Sequence, residues 1–160
     1  MVDNVVVRKA GRKGKGVFAL KGFKKGELVF RNKIGKIVKK KDLDKLSKED
    51  KKHLGEIDSK TFEIMQPPRV CVNHSCNPNS ANKGTSFFAL RKIKKGYEIT
   101  TDYRVTGLFK NKWKCHCGSK NCKGYVISDF FTLPPKLQKR YLPYTIKAIR
   151  DQYIQRHSKS

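Results

Sequence analysis

Residues 73–79 read Asn-His-Ser-Cys-Asn-Pro-Asn. Side-chain amides, an imidazole and a thiol stand here beside a proline that fixes the turn, an unusual density of chemically able groups. Alone, the stretch also fits an ordinary turn with a satisfied histidine and an inert thiol. Two later segments weigh against that reading. One is Cys115-His116-Cys117-Gly118 with Cys122, and the other is Tyr97-Glu98-Ile99-Thr100-Thr101-Asp102-Tyr103.

The cysteines point to a metal. Cys115, Cys117 and Cys122 place three thiols within eight residues, beside Gly118, which lets the chain wrap an ion. Structural zinc takes four soft ligands in a tetrahedron, and three from one short loop plus one from elsewhere is a common arrangement. Cys76 is the natural fourth ligand. His116 is an alternative, made awkward by its place between two thiols. Closing the site with Cys76 would tie the C-terminal segment to the 73–79 loop, so that metal binding helps to build the site. Cys71, among apolar neighbours, reads as a packing residue.

The elements that must hold these groups read mostly as strands. Val5 to Val7 suits a short strand, followed by a basic loop in which Gly11, Gly14 and Gly16 interrupt the chain. The pattern Gly14-x-Gly16-Val17-Phe18-Ala19 allows a sharp turn or a close approach to a ligand, then a strand; a plain glycine turn fits equally. Residues 17–29, VFALKGFKKGELV, align without gaps with residues 87–99, FFALRKIKKGYEI. Each copy reads as strand, basic turn ending in glycine, strand. Between them, Lys39 to Lys52 carries leucines near the helical period, with Ser47 ahead of Glu49-Asp50 as a helix start, so a solvated helical insert is expected over about 36–66. Val70-Cys71-Val72 suits a strand entering Asn73. A basic loop with Leu108, Phe109 and Trp113 follows Tyr103. The tail predicts a helix from about Lys136, broken at Pro143 and resuming with Ile146, Ile149, Tyr153 and Ile154 on one packed face.

Composition sets bounds. A chain of 160 residues suits one domain with a tail. The formal charge of +25 attracts nucleic acid, acidic proteins or anionic lipid without choosing among them. No apolar run is long enough to span a bilayer and the N-terminus lacks a signal-peptide block, so a soluble intracellular protein without membrane partners is expected. Five cysteines in that setting favour metal or catalysis over disulfides.

Taken together these residues resemble the SET-domain protein lysine methyltransferases. The resemblance runs from Val5 to Gly124 through four motifs in the family's order: Gly14-x-Gly16-Val17-Phe18-Ala19, Asn73-His74-Ser75-Cys76-x-Pro78-Asn79, Gly96-x-Glu98-Ile99-Thr100-x-Asp102-Tyr103, and the post-SET cluster Cys115-x-Cys117-Gly118-x3-Cys122-Lys123-Gly124. It implies a mostly β (α+β) fold of small curved sheets around a pseudoknot. The SET domain would occupy 1–110, a post-SET zinc segment 111–125 and a helical extension 126–160.

The resemblance also implies roles. S-adenosylmethionine would lie against the backbone of Lys15, Gly16 and Phe18 and against Asn73 and His74, with Trp113 covering part of it. The substrate lysine would enter a channel from the opposite face, lined by Thr101 and Phe88, and meet the methyl group end-on near Tyr103, the family's catalytic tyrosine. The zinc ligands would be Cys76, Cys115, Cys117 and Cys122. Two departures stand out. Thr101 replaces a Tyr or Phe that influences how many methyl groups are added, and its smaller side chain favours di- or trimethylation. Val70-Cys71 replaces an arginine-aromatic pair, which reads as altered core packing.

The expected activity is therefore methyl transfer from S-adenosylmethionine to lysines of a basic protein, histone-like, chromatin-bound or ribosomal. The alternative is a catalytically silent zinc module whose basic surface binds nucleic acid or chromatin. Like charges should repel a free basic tail at long range, so substrates already bound to nucleic acid, or automethylation within 36–52, are further expectations. Minimal forms of the family occur in bacteria, archaea and large viruses, which favours the cytoplasm or nucleoid, with a nucleus as the alternative.

Overall fold

The computed structural model describes residues 3–107 and 111–158. Four small sheets carry the chain. Strands β1 (Val5–Lys9), β2 (Lys15–Ala19), β7 (Asn73–His74) and β10 (Glu98–Thr101) form one in the order β1-β2-β10-β7. Strands β3 (Leu28–Arg31), β8 (Ser80–Lys83) and β9 (Ser86–Ala89) form a second in the order β3-β9-β8. The third, β4-β6-β5, uses β4 (Lys36–Lys39), β5 (Leu54–Glu56) and β6 (Thr61–Ile64), and the last pairs β11 (Lys112–Lys114) with β12 (Tyr125–Ile127).

The internal repeat organises the first two sheets. The two strands of one copy do not pair with each other. Instead β2 pairs with β10 and β3 with β9, so each copy completes the other. The bonds are reciprocal. Phe23 N donates to Ile93 O at 2.8 Å and Ile93 N to Phe23 O at 2.9 Å, while Gly26 N reaches Ala89 O and Gly96 N reaches Ala19 O, both at 2.7 Å. Gly26 and Gly96 have φ of 84° and 83°, a left-handed conformation that glycine adopts without steric cost. The interlocked copies enclose a core of Val17, Phe23, Val29, Phe30, Phe87, Ile93 and Ile99, in which Phe30 and Phe87 stack at 4.6 Å.

The insert holds the expected helical piece and a sheet besides. Ser47 caps α1 (Lys48–Lys52) by accepting from Asp50 N at 3.0 Å, and a 3-10 turn covers Lys40–Lys45. Around them β4, β6 and β5 form a three-stranded antiparallel sheet. The strand expected over Val70-Cys71-Val72 is absent: Arg69–Cys71 is a 3-10 turn that follows a cis Pro67–Pro68 bond. Cys71 is half-buried against the main core.

In the tail, α2 (Pro135–Tyr141) and α3 (Lys147–His157) flank a 3-10 turn at Leu142–Tyr144. Ile149 is fully buried with Phe130, Leu133 and Tyr141, and Ile146 and Tyr153 pack beside them. Ile154, expected on the same face, is 61% exposed. Ile149 and Ile154 are five residues apart, which at 100° per residue turns the later side chain well off the packed face. Leu108 and Phe109 lie outside the described residues, as does part of the segment in which the pseudoknot crossing was expected.

Candidate functional site

The 73–79 loop and the end of β10 meet because β7 runs parallel to β10, with Thr100 opposite Asn73 and Thr101 opposite His74. Ser75 N continues the pairing onto Thr101 O at 2.9 Å. Asn79 locks the loop from its far end: its Nδ2 donates to Glu98 O at 2.8 Å and its Oδ1 accepts from Thr100 N at 2.9 Å. Side chains at 73, 74 and 101 are thus set by sheet register rather than by a free loop.

On one side of β10 lies a polar cradle. Asn73 Nδ2 donates to Lys15 O at 3.0 Å and to Glu98 Oε1 at 2.7 Å, and Lys13 Nζ holds Glu98 Oε2 at 2.8 Å. Gly16 sits in the middle. A Cβ there would come within 2.8 Å of Ala10 Cβ and 2.9 Å of Glu98 Oε1, closer than side chains tolerate, and within a tight 3.1 Å of Asn73 Nδ2, so backbone alone faces these groups. Lys15, Gly16 and Asn73 are brought together. Phe18 stands in β2 opposite Glu98, so its backbone adjoins this group, while the Arg8 guanidinium covers its ring at 4.0 Å.

At the end of β10 the Tyr103 ring stands between His74, 5.3 Å away, and Trp113, 6.0 Å away. Its hydroxyl donates to Val72 O at 2.8 Å and its backbone N–H to His74 Nδ1 at 3.2 Å. Burial pushes the phenol up to about 12, so it is neutral at physiological pH, with its oxygen lone pairs available as acceptors. Asp102, fully buried, accepts from Arg104 Nε at 2.9 Å and from its Nη2 at 2.6 Å. That bidentate pair fixes the turn that aims Tyr103.

Tyr103, Thr101 and Trp113 share the wall of a cavity of about 640 Å³. Val72 and Phe87 also line it, as do residues of the insert and of the segment around Thr145. Phe87, not Phe88, faces this space. Consecutive strand residues point to opposite faces, and Phe88 pairs across to Leu28 and Ala81 on the other side of its sheet. The Thr101 hydroxyl is buried and has no hydrogen-bond partner among the described residues.

Behind the tyrosine is the thiol cluster. His74, Cys76, Cys115 and Cys117 present ligand atoms that all lie within 4.8 Å of one another, with Cys76 Sγ and Cys115 Sγ 4.0 Å apart. A tetrahedral zinc–thiolate site with bonds of about 2.3 Å separates its sulfurs by about 3.8 Å, so the donor set fits. Burial raises the Cys76 and Cys115 thiols, the latter to about 11. Burial opposes ionisation of Cys117 too, but hydrogen bonds from Cys76 N and Ser119 carry it down to about 6. Cys122, expected as a ligand, is not in that group of four; it packs against it, its Sγ 3.7 Å from Cys115 O. His74 Nδ1 accepts the Tyr103 N–H, which leaves the ring proton on Nε2, 3.3 Å from Cys76 Sγ. A protonated nitrogen donates to a thiolate rather than ligating a metal. Burial, which holds His74 below its ordinary value against the pull of Asp102, agrees with a neutral ring.

Residues 14–104, more than half the chain, match the family model for the SET domain. The chain belongs to the SET-domain family. Among curated SET relatives, the variant-silencing SET domain-containing protein of Plasmodium falciparum is 29% identical over 147 residues, covering 79% of this chain and 6% of that protein. A Candida glabrata protein named histone-lysine N-methyltransferase, H3 lysine-36 specific, is 33% identical over 142 residues, covering 77% of this chain and 19% of that one. The chain thus spans less than a fifth of the length of either relative. The methyltransferase domain of human SETMAR superposes with a TM-score of 0.58 at 23% identity, covering 77% of this chain and 57% of that one, which supports the SET fold.

Glu98, Val72 and Phe87 were not singled out as site residues from sequence. Glu98 stands in the Gly96-x-Glu98 motif, and that was its only signal. Val72 acts through a backbone carbonyl, which carries no residue-type signature.

Proposed function

We propose that this chain is an S-adenosylmethionine-dependent protein-lysine N-methyltransferase acting on a basic protein of histone-like, chromatin-bound or ribosomal type. The observation that carries the reading is Tyr103, neutral and anchored through Val72 O, at the wall of a cavity and in the turn just after the strand whose other end, at Glu98, meets the Gly16 cradle. In this reading residues 1–110 form the catalytic unit, 111–125 the post-SET segment and 126–160 a helical extension. The protein acts inside the cell, in cytoplasm or nucleoid, with a nucleus as the alternative; among the described residues no helix is long and apolar enough to cross a membrane.

The cradle of Lys15, Gly16, Asn73 and Glu98 suits a cofactor that must lie against backbone, with His74 and Trp113 nearby and Phe18 supporting the strand. S-adenosylmethionine, when bound, supplies a methyl group on a sulfonium that leaves as the neutral thioether. The substrate amine would enter between Thr101, Phe87 and Tyr103. An apolar enclosure disfavours the ammonium form, so the lysine sheds its proton before it attacks. The Tyr103 oxygen accepts an N–H of the neutral amine and aims its lone pair along the line of displacement. Thr101, smaller than an aromatic residue, leaves room for an amine already carrying methyl groups, which favours di- or trimethylation.

Cys76, Cys115, Cys117 and Cys122 would hold zinc, with His74 Nε2–H donating to the Cys76 thiolate as a supporting contact. With an ion held there, these thiols would fasten 115–124 to the 73–79 loop. The test is transfer of a labelled methyl group from the cofactor to mixed basic proteins, with Tyr103→Phe as control. Transfer falling at least about a hundredfold in the variant supports the proposal. No transfer by either protein favours a silent module that binds nucleic acid or chromatin. Mass spectrometry of the enzyme itself, over 36–52, reads automethylation.

A further inference from the structure

The cavity beside Tyr103 has a lining of uneven charge. Its charged lining residues are Lys52, Arg69, Lys83 and Arg150 against the single carboxylate Glu56. These cations are not equivalent. Arg69 is neutralised by the buried Glu63 carboxylate, which also accepts from Gly35 N at 2.8 Å. Lys52 pairs on the surface with Glu49 at 3.0 Å. Lys83, at the end of β8, and Arg150, on α3, form no ion pair among the described residues; Arg150 donates to the Thr145 carbonyl, a neutral partner. Two uncompensated cations from distant parts of the chain therefore face one cavity. A cleft in which one sign of charge predominates focuses its field on what enters, and the net charge of +25 reinforces that sign at long range.

We infer that the segment of substrate flanking the target lysine is acidic, seated with Asp or Glu side chains against Lys83 and Arg150 while its lysine reaches Tyr103. The inference rests on the methyltransferase reading and deepens it. A protein basic overall satisfies it where the modified lysine lies in a locally acidic stretch. It also removes the repulsion that a free lysine-rich tail would meet on approach.

The test uses the full chain with three sets of peptides of equal length and one central lysine, flanked by Glu/Asp, Ser/Gly or Lys/Arg. Binding is read by fluorescence anisotropy and methyl transfer by KM and kcat. Acidic flanks should lower both Kd and KM by at least about tenfold relative to basic flanks at low salt, an advantage that shrinks as salt screens it. Lys83→Glu, at an exposed position, should bring the acidic and basic sets to within about threefold while kcat changes little. Arg150→Gln, which keeps a donor for the Thr145 carbonyl, should weaken the preference in the same direction. Thermal melts confirm that each variant is folded.

Equal or tighter binding of basic-flanked peptides overturns the inference. So does displacement of all peptides by duplex DNA together with loss of DNA binding in Lys83→Glu and no preference among flanks, which would make the cleft a nucleic-acid site. If acidic peptides bind preferentially and no lysine in any peptide or protein is methylated, the charge inference stands and the catalytic reading fails. Methylation with a preference for basic flanks does the opposite: the catalytic reading stands and the charge inference fails.

Discussion

The hydroxyl of Tyr103 donates to the carbonyl oxygen of Val72 across 2.8 Å. Removing it in Tyr103→Phe leaves a carbonyl unpaired and should cost stability of about 1 kcal/mol, a small loss beside the collapse of methyl transfer. Thermal melting and transfer rates measured on the same preparation separate the two effects.

Burial of that phenol has a consequence at alkaline pH. Its folded value, about 12, lies above the ordinary tyrosine value of about 10, so the folded state holds the proton more tightly than the unfolded state. The stability this contributes is complete below pH about 10 and drains away as pH rises toward about 12. Burial raises Tyr141 as well, so tyrosinate absorbance should show more than one late-titrating tyrosine and lose one of them in Tyr103→Phe.

Cys76, Cys115 and Cys117 lie within the same 4.8 Å group. A strong chelator should lower the melting temperature and release about one zinc per chain. Cys115→Ser should reproduce the destabilisation and bind less metal, as read by elemental analysis of the purified protein.

Gly16 faces Ala10, Glu98 and Asn73 with no room for a side chain. Gly16→Ala must push the cradle apart, and cofactor binding by calorimetry should weaken by about tenfold or more. Unchanged affinity would place the cofactor elsewhere.

Glu63 and Arg69 form a buried ion pair at the base of the insert sheet. Glu63→Ala strands the guanidinium without a counter-charge and should destabilise the fold by about 3–5 kcal/mol. Chemical denaturation of this variant and of Glu63→Ala combined with Arg69→Met measures the coupling, and the double variant should recover part of the loss.

Thr101→Phe fills space beside Tyr103. Mass spectra of the product should shift from di- or trimethyl-lysine toward monomethyl-lysine, and an unchanged distribution would remove Thr101 from the channel.

Much of this protein is written locally. The three thiols of 115–122, the Asn-His-Ser-Cys loop, the Ser47 cap and the proline break before α3 each depend on residues a few positions apart, where covalent geometry limits the distances. The family match over 14–104 agrees with motifs legible in the bare sequence. Other facts needed tertiary structure. Both copies of the repeat read as two strands, yet no local rule says that each strand would choose the other copy, since antiparallel pairing at a separation of seventy residues is settled by which arrangement buries Phe23, Ile93 and their neighbours. Phe87 rather than Phe88 faces the cavity because register assigns the face, and the β4-β6-β5 sheet formed where helical spacing alone was visible because its partners lie across the insert. The uncompensated charges of Lys83 and Arg150 exist only after folding, since pairing is a matter of which carboxylates come within reach, and that is decided by the closed chain.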